Sequence, residues 1–527
     1  MKRHFHDTGL CVAHKHYMVD TTHKVHQVMD LIEKGCYFTM NRPRQFGKTT
    51  TLTLLWRELL KREEYLAVRL SFEGISTTIF DDGDKFVEAF VVMFNRELVK
   101  AYPQEENIID GNSHTTEKDF DKLALQIQDF VAQSGREVVL LIDEVDKSTN
   151  NQLFLHFLGM LRDLYLKRDD GSVYTFASVI LVGVHDVKTI KLKLRPDEER
   201  KFNSPWNIAI DFTVDLSFKA KEIETMLVDY AQDKQIEMDI PAIATRLYYY
   251  TSGYPYLVSK MCKVIDELLL PENENKQVWT LLDVENAFKY LTYQGYTTTL
   301  FDDMFKNLER HADLYDFIQN IAINGKLYQY TASNELVYLA TIYGFIKDIE
   351  GRTHIHNRIF EQRLYHHFMS KIETQMGRDL SYMGNTMVFK TPTEIFMELV
   401  LRRFQQFMKE HQSGHDVSFV EREGRLLFLS FLRPIINGKG YDFKEPNVGE
   451  ERRMDIVIAY HDKRYVLELK IWRGQAYHEE GLQQLSEYLD IYGLKQGYLL
   501  IFNFNKSKEY KEETIQWLDK EVFVMWV

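Results

Sequence analysis

Several short stretches in the first 220 residues are apolar without any alternation of polar and apolar positions. A strand that is apolar on both faces is typical of a central parallel strand, because helices cover both sides of such a sheet. Leucines at helical spacing in residues 50–62 predict a helix between two of these stretches. The pattern therefore predicts a parallel α/β sheet wrapped by helices. The segments that we predict as strands are residues 36–40, 65–72, 138–142, 177–184 and 207–216.

A Gly47-Lys48-Thr49 triplet lies between the first predicted strand and the helix. Strand, loop and helix in this order are the context of a phosphate-binding P-loop. Loop amides and the helix dipole favour an anion at such a helix start. We expect Lys48 to reach the β- and γ-phosphates of a nucleotide and Thr49 to offer its hydroxyl to Mg²⁺.

Position 42 departs from the P-loop consensus G-x-x-x-x-G-K-[ST], because Arg42 stands where the first glycine belongs. Glycine permits a positive φ that arginine resists. Either the loop follows a different path, or the Gly-Lys-Thr triplet is a chance match in a surface turn.

Polar side chains follow two of the other predicted strands. Asp143 and Glu144 come after residues 138–142, and His185 comes after residues 177–184. Carboxyl ends of parallel strands are where such sheets bind ligands. We expect Asp143 to hold Mg²⁺ through water, Glu144 to polarise the attacking water, and His185 to sense the γ-phosphate. Each feature alone is also common as plain structure, but the ordered combination favours a P-loop fold.

Beyond residue 216 the pattern becomes helical. Residues 216–292 predict consecutive helices. Gly253-Tyr254-Pro255 interrupts them, either as a turn that faces the nucleotide or as an ordinary helix–helix turn. Residues 293–372 contain short helices and then a hairpin that turns at Glu350-Gly351. That order is typical of a winged helix, which binds DNA in some proteins and only packs in others.

A second group of chemical residues lies near the carboxyl end. Residues 454–472 predict a hairpin in which Glu468 and Lys470 share one face, opposite a strand that carries Asp455. An acid and a base on one face of a mostly buried strand cost free energy in a plain core. They fit a site in which Asp455 and Glu468 hold a divalent metal and Lys470 orients a water. The alternative is a surface hairpin with alternating charges.

Two predicted helices flank this hairpin. Residues 420–436 contain Glu421 as a candidate site residue, with Glu423 as its substitute, and residues 481–493 contain Gln484 as a further candidate. We predict the final strand at residues 496–504.

The composition is that of an ordinary globular protein of about three domains. A formal charge of −13 disfavours nucleic-acid binding through global charge, but leaves room for a local basic groove. The residues that could form one are Arg452, Arg453, Lys463, Arg464 and Arg473. Three scattered cysteines and apolar runs of strand length predict a cytoplasmic protein without a membrane segment.

Six histidines crowd the first 26 residues together with Cys11. Their spacing matches no standard zinc pattern, so we interpret them as structural or incidental. They are His4, His6, His14, His16, His23 and His26.

Four quoted segments, RPRQFGKTT, VLLIDEVD, NIAIDF and TSGYPYLV, resemble the AAA-ATPase-like family of bacterial and archaeal P-loop proteins. That family commonly has R-P-R-x-F-G-K-[ST] at this loop, so the resemblance implies a working ATP site despite Arg42. The residues that it implies in nucleotide contact are Arg42, Pro43, Arg44, Gln45, Phe46, Gly47, Lys48, Thr49 and Thr50.

Asp455 and Glu468-Leu469-Lys470 resemble the PD-(D/E)xK nuclease superfamily, whose members often close this same ATPase-like family. The resemblance implies catalytic roles for Glu421 and Gln484 and a site for Mg²⁺, with Mn²⁺ as a substitute. It implies domains at residues 1–215 (P-loop ATPase core), 216–292 (helical lid), 293–372 (winged-helix-like) and 373–527 (nuclease-like).

We interpret the chain as an ATPase whose nucleotide state controls a nuclease acting on DNA, a pairing that would fit defence against foreign DNA. The alternative is a nucleotide-switched regulator that binds DNA or protein through a silent nuclease fold. A motor that moves on DNA is weaker, because separate helicase motifs are missing from the sequence. A homo-oligomer stays open, with Arg195 or Arg200 as the arginine finger of a neighbouring subunit.

Overall fold

The computed structural model describes most of the chain and divides it into two compact units. The first unit is Met1–Leu291 with Thr298–Phe301 and Thr341–Gly344, and the second is Thr292–Thr297, Asp302–Ala340 and Phe345–Val527. The described residues are 2–73, 79, 82–114, 116–145, 152–168, 171–183, 206–272, 277–292, 296–323, 326–376, 389–391, 394–411, 428–429, 431–432, 440–444, 455–460, 463–472, 474–503 and 509–527.

Four parallel strands form the sheet of the first unit, in the order β1-β4-β3-β2. They are β1 (Phe38–Asn41), β2 (Tyr65–Ser71), β3 (Glu137–Asp143) and β4 (Ser178–Gly183). The helices before and between them are α1 (Thr22–Glu33), α2 (Lys48–Leu59), α3 (Gly83–Ala101), α4 (Asp119–Ser134) and α5 (Gln152–Arg168). All residues of β4, and all residues of β3 after Glu137, are buried, which confirms the prediction of central strands with two covered faces.

The strand that we predicted at residues 207–216 is wrong. Within the described residues 206–216, pairing is limited to one isolated bridge between Phe38 and Ile210. The carbonyl oxygens of Phe212 and Val214 instead accept hydrogen bonds from a side chain, that of Arg42. Backbone carbonyls that accept hydrogen bonds from a guanidinium do not need a neighbouring strand to satisfy them.

Helices follow the sheet, as the periodicity beyond residue 216 predicts. They are α6 (Ala220–Lys234), α7 (Ile240–Thr251), α8 (Pro255–Val264, continued by a π-turn at Ile265–Leu269 and a 3-10 turn at Leu270–Glu272), α9 (Leu281–Thr292) and α10 (Thr299–Arg310). Two short strands, β5 (Glu237–Met238) and β6 (Val278–Trp279), pair in parallel beside them.

A hairpin with flanking helices opens the second unit. Its strands are β7 (Ile346–Ile349) and β8 (Arg352–Ile355), and they turn at Glu350-Gly351, where both residues have positive φ. The helices around it are α11 (Ala312–Ala322), α12 (Glu335–Ile342) and α13 (Arg358–Met376). The turn position agrees with the sequence pattern, whereas the winged-helix assignment and the four domain boundaries stay predictions.

A six-stranded mixed sheet forms the rest of the second unit, in the order β11-β12-β13-β14-β16-β15. Its strands are β11 (Gly440–Lys444), β12 (Asp455–Tyr460), β13 (Lys463–Ile471), β14 (Gln496–Phe502), β15 (Glu512–Trp517) and β16 (Lys520–Trp526). The remaining elements are β9 (Phe389–Thr391), β10 (Glu394–Ile395), α14 (Met397–His411) and α15 (Gln475–Ile491). Because β16 pairs in parallel with β14, the strand at 496–502 is internal and not the final one that we predicted.

Gly253 lets the turn between α7 and α8 close against the chain ahead of α6. Its φ is +71°, and a Cβ added there would lie 1.9 Å from the carbonyl oxygen of Phe218. The amide of Phe218 donates to the Gly253 carbonyl at 2.8 Å. Only a residue without Cβ fits this approach.

We expect Gly253→Ala to lower the free energy of unfolding by at least about 3 kcal/mol, since strain and overlap add. Gly135→Ala is the matched control, because Gly135 also has positive φ (+62°) but open space around its Cβ position. The positive φ alone should lower the free energy of unfolding of the control variant by about 1 kcal/mol. Thermal unfolding midpoints of the two variants measure the difference, and equal shifts would contradict the close approach.

Candidate functional sites

The Gly-Lys-Thr triplet lies in a loop that leads from β1 into α2. Gly47 has a φ of +81° and precedes Lys48, the first residue of α2. The first amides of a helix have no acceptor within the helix, and the helix dipole makes this end positive. Gln45 also has a positive φ, of +56°. The loop therefore has the local form that an anionic phosphate group requires.

The side chain of Arg42 links this loop to residues 212–214. Its guanidinium donates to the carbonyl oxygens of Phe212 (3.1 Å) and Val214 (2.8 Å) and lies 5.0 Å from the Phe212 ring centroid. A side chain thus fixes the first corner of the loop, which in the consensus needs glycine. Arg42 is not among the described residues with positive φ, so this corner does without the conformation that glycine would permit.

Lys48 turns back over the loop. Its ammonium donates to the carbonyl oxygens of Arg42 and Pro43, both at 2.9 Å. Phosphate oxygens are stronger acceptors for an ammonium than neutral carbonyls. The loop, the helix start and this lysine together fit the phosphates of a nucleotide.

The Gly253-Tyr254-Pro255 turn lies against the same loop. The Tyr254 hydroxyl donates to the carbonyl of Arg44, and its ring meets Phe46 edge-on at 4.8 Å between centroids. Tyr254 is buried, and that burial raises the pKa of its hydroxyl above the ordinary tyrosine value. The turn therefore contacts the Gly-Lys-Thr loop, and its position facing a nucleotide stays a prediction.

Asp143 ends β3 and takes part in a chain of hydrogen bonds. Arg69 of β2 donates to Asp143 Oδ2 at 3.2 Å and to Thr53 Oγ1 at 2.7 Å. Thr53 in turn donates to the Thr49 carbonyl at 2.7 Å. Arg69 therefore links the carboxylate at the end of β3 to the first turn of α2. We call these four residues the Arg69 relay.

Sequence reasoning missed Arg69, although a signal was present. It is the one charged residue in the otherwise apolar strand Tyr65–Ser71. A charge at such a position needs a partner, and Asp143, only 4% exposed, is that partner.

The structure gives less information on the other residues that we predicted for this site. Glu144 has a positive φ of +57°, and its amide donates to Asp143 Oδ1 at 3.0 Å. His185, Arg195 and Arg200 lie outside the described residues.

In the second unit the predicted hairpin has the expected register. Asp455 is paired with Glu468 across the antiparallel strands β12 and β13. Glu468 is fully buried, and its carboxylate lies 3.1 Å from the ammonium of Lys470. The ammonium also donates to Gln484 Oε1 at 2.6 Å. The structure thus brings together Glu468, Lys470 and Gln484, which we call the β13–α15 trio.

Gly481 allows α15 to approach Lys470. A Cβ at this position would lie 3.2 Å from Cε and Cγ of Lys470. One turn later, Gln484 reaches the ammonium. Carboxylate oxygens are the ligands that Mg²⁺ prefers, so Glu468 fits a divalent metal in donor type.

Glu421 and Glu423 lie outside the described residues, as do Arg452, Arg453 and Arg473. For Asp455 the structure gives the backbone position. Lys463 and Arg464 are exposed, and Lys463 forms an ion pair with Glu394. Among the helices that the structure describes, none has both the length and the apolar character needed to span a membrane.

Comparison with solved structures finds similar chains at low sequence identity. A Walker-type ATPase of Pyrococcus abyssi matches with 10% identity and a TM-score of 0.45, covering 66% of this chain and 96% of that one. The ORC2 protein of Aeropyrum pernix matches with 12% identity and a TM-score of 0.36, covering 67% and 93%. Cdc6p of Pyrobaculum aerophilum matches with 14% identity and a TM-score of 0.32, covering 66% and 95%. A search of curated proteins finds no match.

Two family models match the sequence. The PD-(D/E)XK nuclease superfamily matches residues 440–513, which include the hairpin and the β13–α15 trio. The AAA-like domain matches residues 7–369, more than half of the chain. The chain therefore belongs to the AAA-like domain family and carries a PD-(D/E)XK nuclease superfamily domain near its carboxyl end.

Proposed function

We propose that this protein binds and hydrolyses ATP in its first unit, and that the nucleotide state controls a Mg²⁺-dependent nuclease in its second unit that acts on DNA. The β13–α15 trio is the observation that carries the nuclease half of the proposal. A buried carboxylate and ammonium are often no more stabilising than apolar residues of the same volume. Their presence on one strand, beside a second acid in register, supports a catalytic use.

The proposed chemistry assigns one task to each side chain. Bound Mg²⁺ would polarise the scissile phosphoryl oxygen and lower the pKa of an attacking water. Glu468 and Asp455 would hold the ion, with Glu421 as a further catalytic carboxylate. Lys470 would position the water and stabilise charge that develops on the phosphate. Gln484 would keep the Lys470 ammonium in place.

At the P-loop, ATP would supply the phosphoanhydride that is hydrolysed, and Mg²⁺ would neutralise charge on its phosphates. Residues 42–50 would hold these phosphates, with Lys48 moving from the Arg42 and Pro43 carbonyls to the phosphate oxygens. Thr49 and Asp143 would hold the ion, Glu144 would polarise the water, and His185 would sense the γ-phosphate. We propose Arg69 as a positioning residue that aims Asp143 through the Arg69 relay.

The wider setting is also proposed. Free Cys11, Cys36 and Cys262 suit a reducing compartment, and we place the protein in the cytoplasm. A homo-oligomer would supply an arginine finger, and DNA of foreign origin is the substrate that suits an ATP-governed nuclease.

One observation favours a second candidate, a nucleotide-switched regulator of DNA or protein with a silent nuclease fold. Glu468 is 0% exposed and ion-paired with Lys470. To bind a metal ion, its carboxylate must either leave this ion pair or be approached by the metal ion from the face of the sheet. A site that stays closed would keep the fold and lose the cleavage.

We expect Glu468→Gln to lower the cleavage rate of supercoiled DNA in Mg²⁺ or Mn²⁺ at least about a hundredfold. The amide keeps the shape of the side chain but removes the charge that holds the ion. Nucleotide affinity should stay unchanged, because the P-loop lies in the other unit. Glu521→Gln, an exposed change in the same sheet, is the matched control. Equal cleavage by both variants would disprove the assignment, and no cleavage by the unaltered protein would favour the silent regulator.

We expect Arg69→Gln to lower kcat for ATP hydrolysis about tenfold while the KM for ATP changes less than about threefold. The change frees the Asp143 carboxylate but leaves the loop that would hold the phosphates. Steady-state kinetics over a range of Mg²⁺ concentrations measure both values. Arg57→Gln, an exposed change on α2, is the control and should alter neither. A rise in KM with constant kcat would contradict a positioning role for Arg69.

A further inference from the structure

Three of the amino-terminal histidines come together in the first unit. His4 and His16 form a β-bridge, with the His4 amide donating to the Lys15 carbonyl at 3.1 Å. His6 lies two residues beyond His4, so an extended backbone places it on the same side. Ligand nitrogens of His4, His6 and His16 all lie within 4.8 Å of one another. Backbone pairing thus brings together three histidines whose spacing in the sequence matches no standard zinc pattern.

One nitrogen of this cluster lacks a hydrogen-bond partner among the described residues. His6 Nε2 is buried, and neither a donor nor an acceptor reaches it. A buried polar atom without a partner costs about 1–3 kcal/mol, so its retention calls for a reason.

We propose that His4, His6 and His16 bind one divalent transition-metal ion of the zinc class. Three imidazoles with a fourth position for water are an established donor set for such an ion, and they exclude Mg²⁺ and Ca²⁺, which prefer oxygen. This site is separate from the two magnesium sites of the proposed function.

Binding requires a small rearrangement. The His6 and His16 rings are stacked at 3.8 Å with an interplanar angle of 11°, and they must tilt to direct two lone pairs at one ion. The Val12 amide donates to His16 Nδ1 at 2.9 Å. Whichever nitrogen of His16 binds the ion, this bond is lost, because Nδ1 then carries either the ion or the proton. One hydrogen bond of about 1 kcal/mol is small beside the free energy of metal coordination.

The position of the cluster indicates what the ion would do. Ser259 of α8 donates to the His6 carbonyl at 2.6 Å, and Asp7 forms ion pairs with Lys260 and Lys263, both at 2.7 Å. The Cys11 amide donates to Thr50 Oγ1 of α2 at 3.4 Å. An ion at the cluster would fasten the amino-terminal segment across the helix that carries the P-loop threonines.

The test is a titration of tag-free, metal-free full-length protein with Co²⁺, followed by visible absorption. We expect one equivalent of Co²⁺ to give the intense d–d bands of a four-coordinate ion, and one equivalent of Zn²⁺ to remove them. His6→Gln should weaken Co²⁺ affinity at least about tenfold. His14→Gln changes an exposed histidine that lies in sequence between the bridged residues His4 and His16 but outside the cluster; this matched control should bind as the unaltered protein does.

His4→Gln provides a second variant in case His6→Gln fails to fold, because His4 is exposed and its loss leaves the packed rings in place. Zn²⁺ should also raise the thermal unfolding midpoint of the unaltered protein but of neither cluster variant. Equal affinity in the His4, His6 and His14 variants, or absence of a four-coordinate spectrum in the unaltered protein, would overturn the proposal.

Discussion

Parallel pairing is the constraint on which the nucleotide site depends. In a parallel sheet all strands end at the same edge, and here Asn41 is paired with Gly183 and Ser71 with Asp143 at that edge. The loop that follows Asn41 and the carboxylate that ends β3 are thereby brought close together. Arg42 then fixes the loop by holding carbonyls across from β1, and Arg69 fixes the carboxylate. The guanidinium groups of these two arginines thus fix the loop and the carboxylate that strand pairing brings close together.

The second unit uses the same principle with a different chemistry. Antiparallel register places Asp455 opposite Glu468, and the parallel step to β14 leaves room for α15 to cover Lys470. Burial of this charged pair is tolerated because Gln484 supplies a further acceptor for the ammonium. In both units a strand of the core sheet carries a charged group, Arg69 in β2 and Lys470 in β13, which is the pattern expected where chemistry overrides packing.

Much of this was predictable from the sequence, for physical reasons. Apolar runs such as residues 138–142 favour central strands, and the two-residue spacing of Glu468 and Lys470 places both on one face of a strand. The strand predicted at 207–216 failed because its carbonyls serve Arg42, a contact that no local pattern contains. The gathering of His4, His6 and His16 was missed for the same reason, since it depends on a backbone bridge between distant positions. Arg69 was visible as a charge in an apolar strand, but its partners were not.

Control of DNA cleavage by the nucleotide state is measured most directly by the cleavage rate itself. Supercoiled DNA would be incubated with the protein and Mg²⁺, in the presence of ATP, of ADP, or of neither. We expect the rate to differ between these conditions at least about fivefold, a coupling of about 1 kcal/mol. Lys48→Ala, which removes the ammonium meant for the phosphates, should cleave at one rate in all three. A rate that is the same under all three conditions in the unaltered protein would show that the nucleotide does not control cleavage.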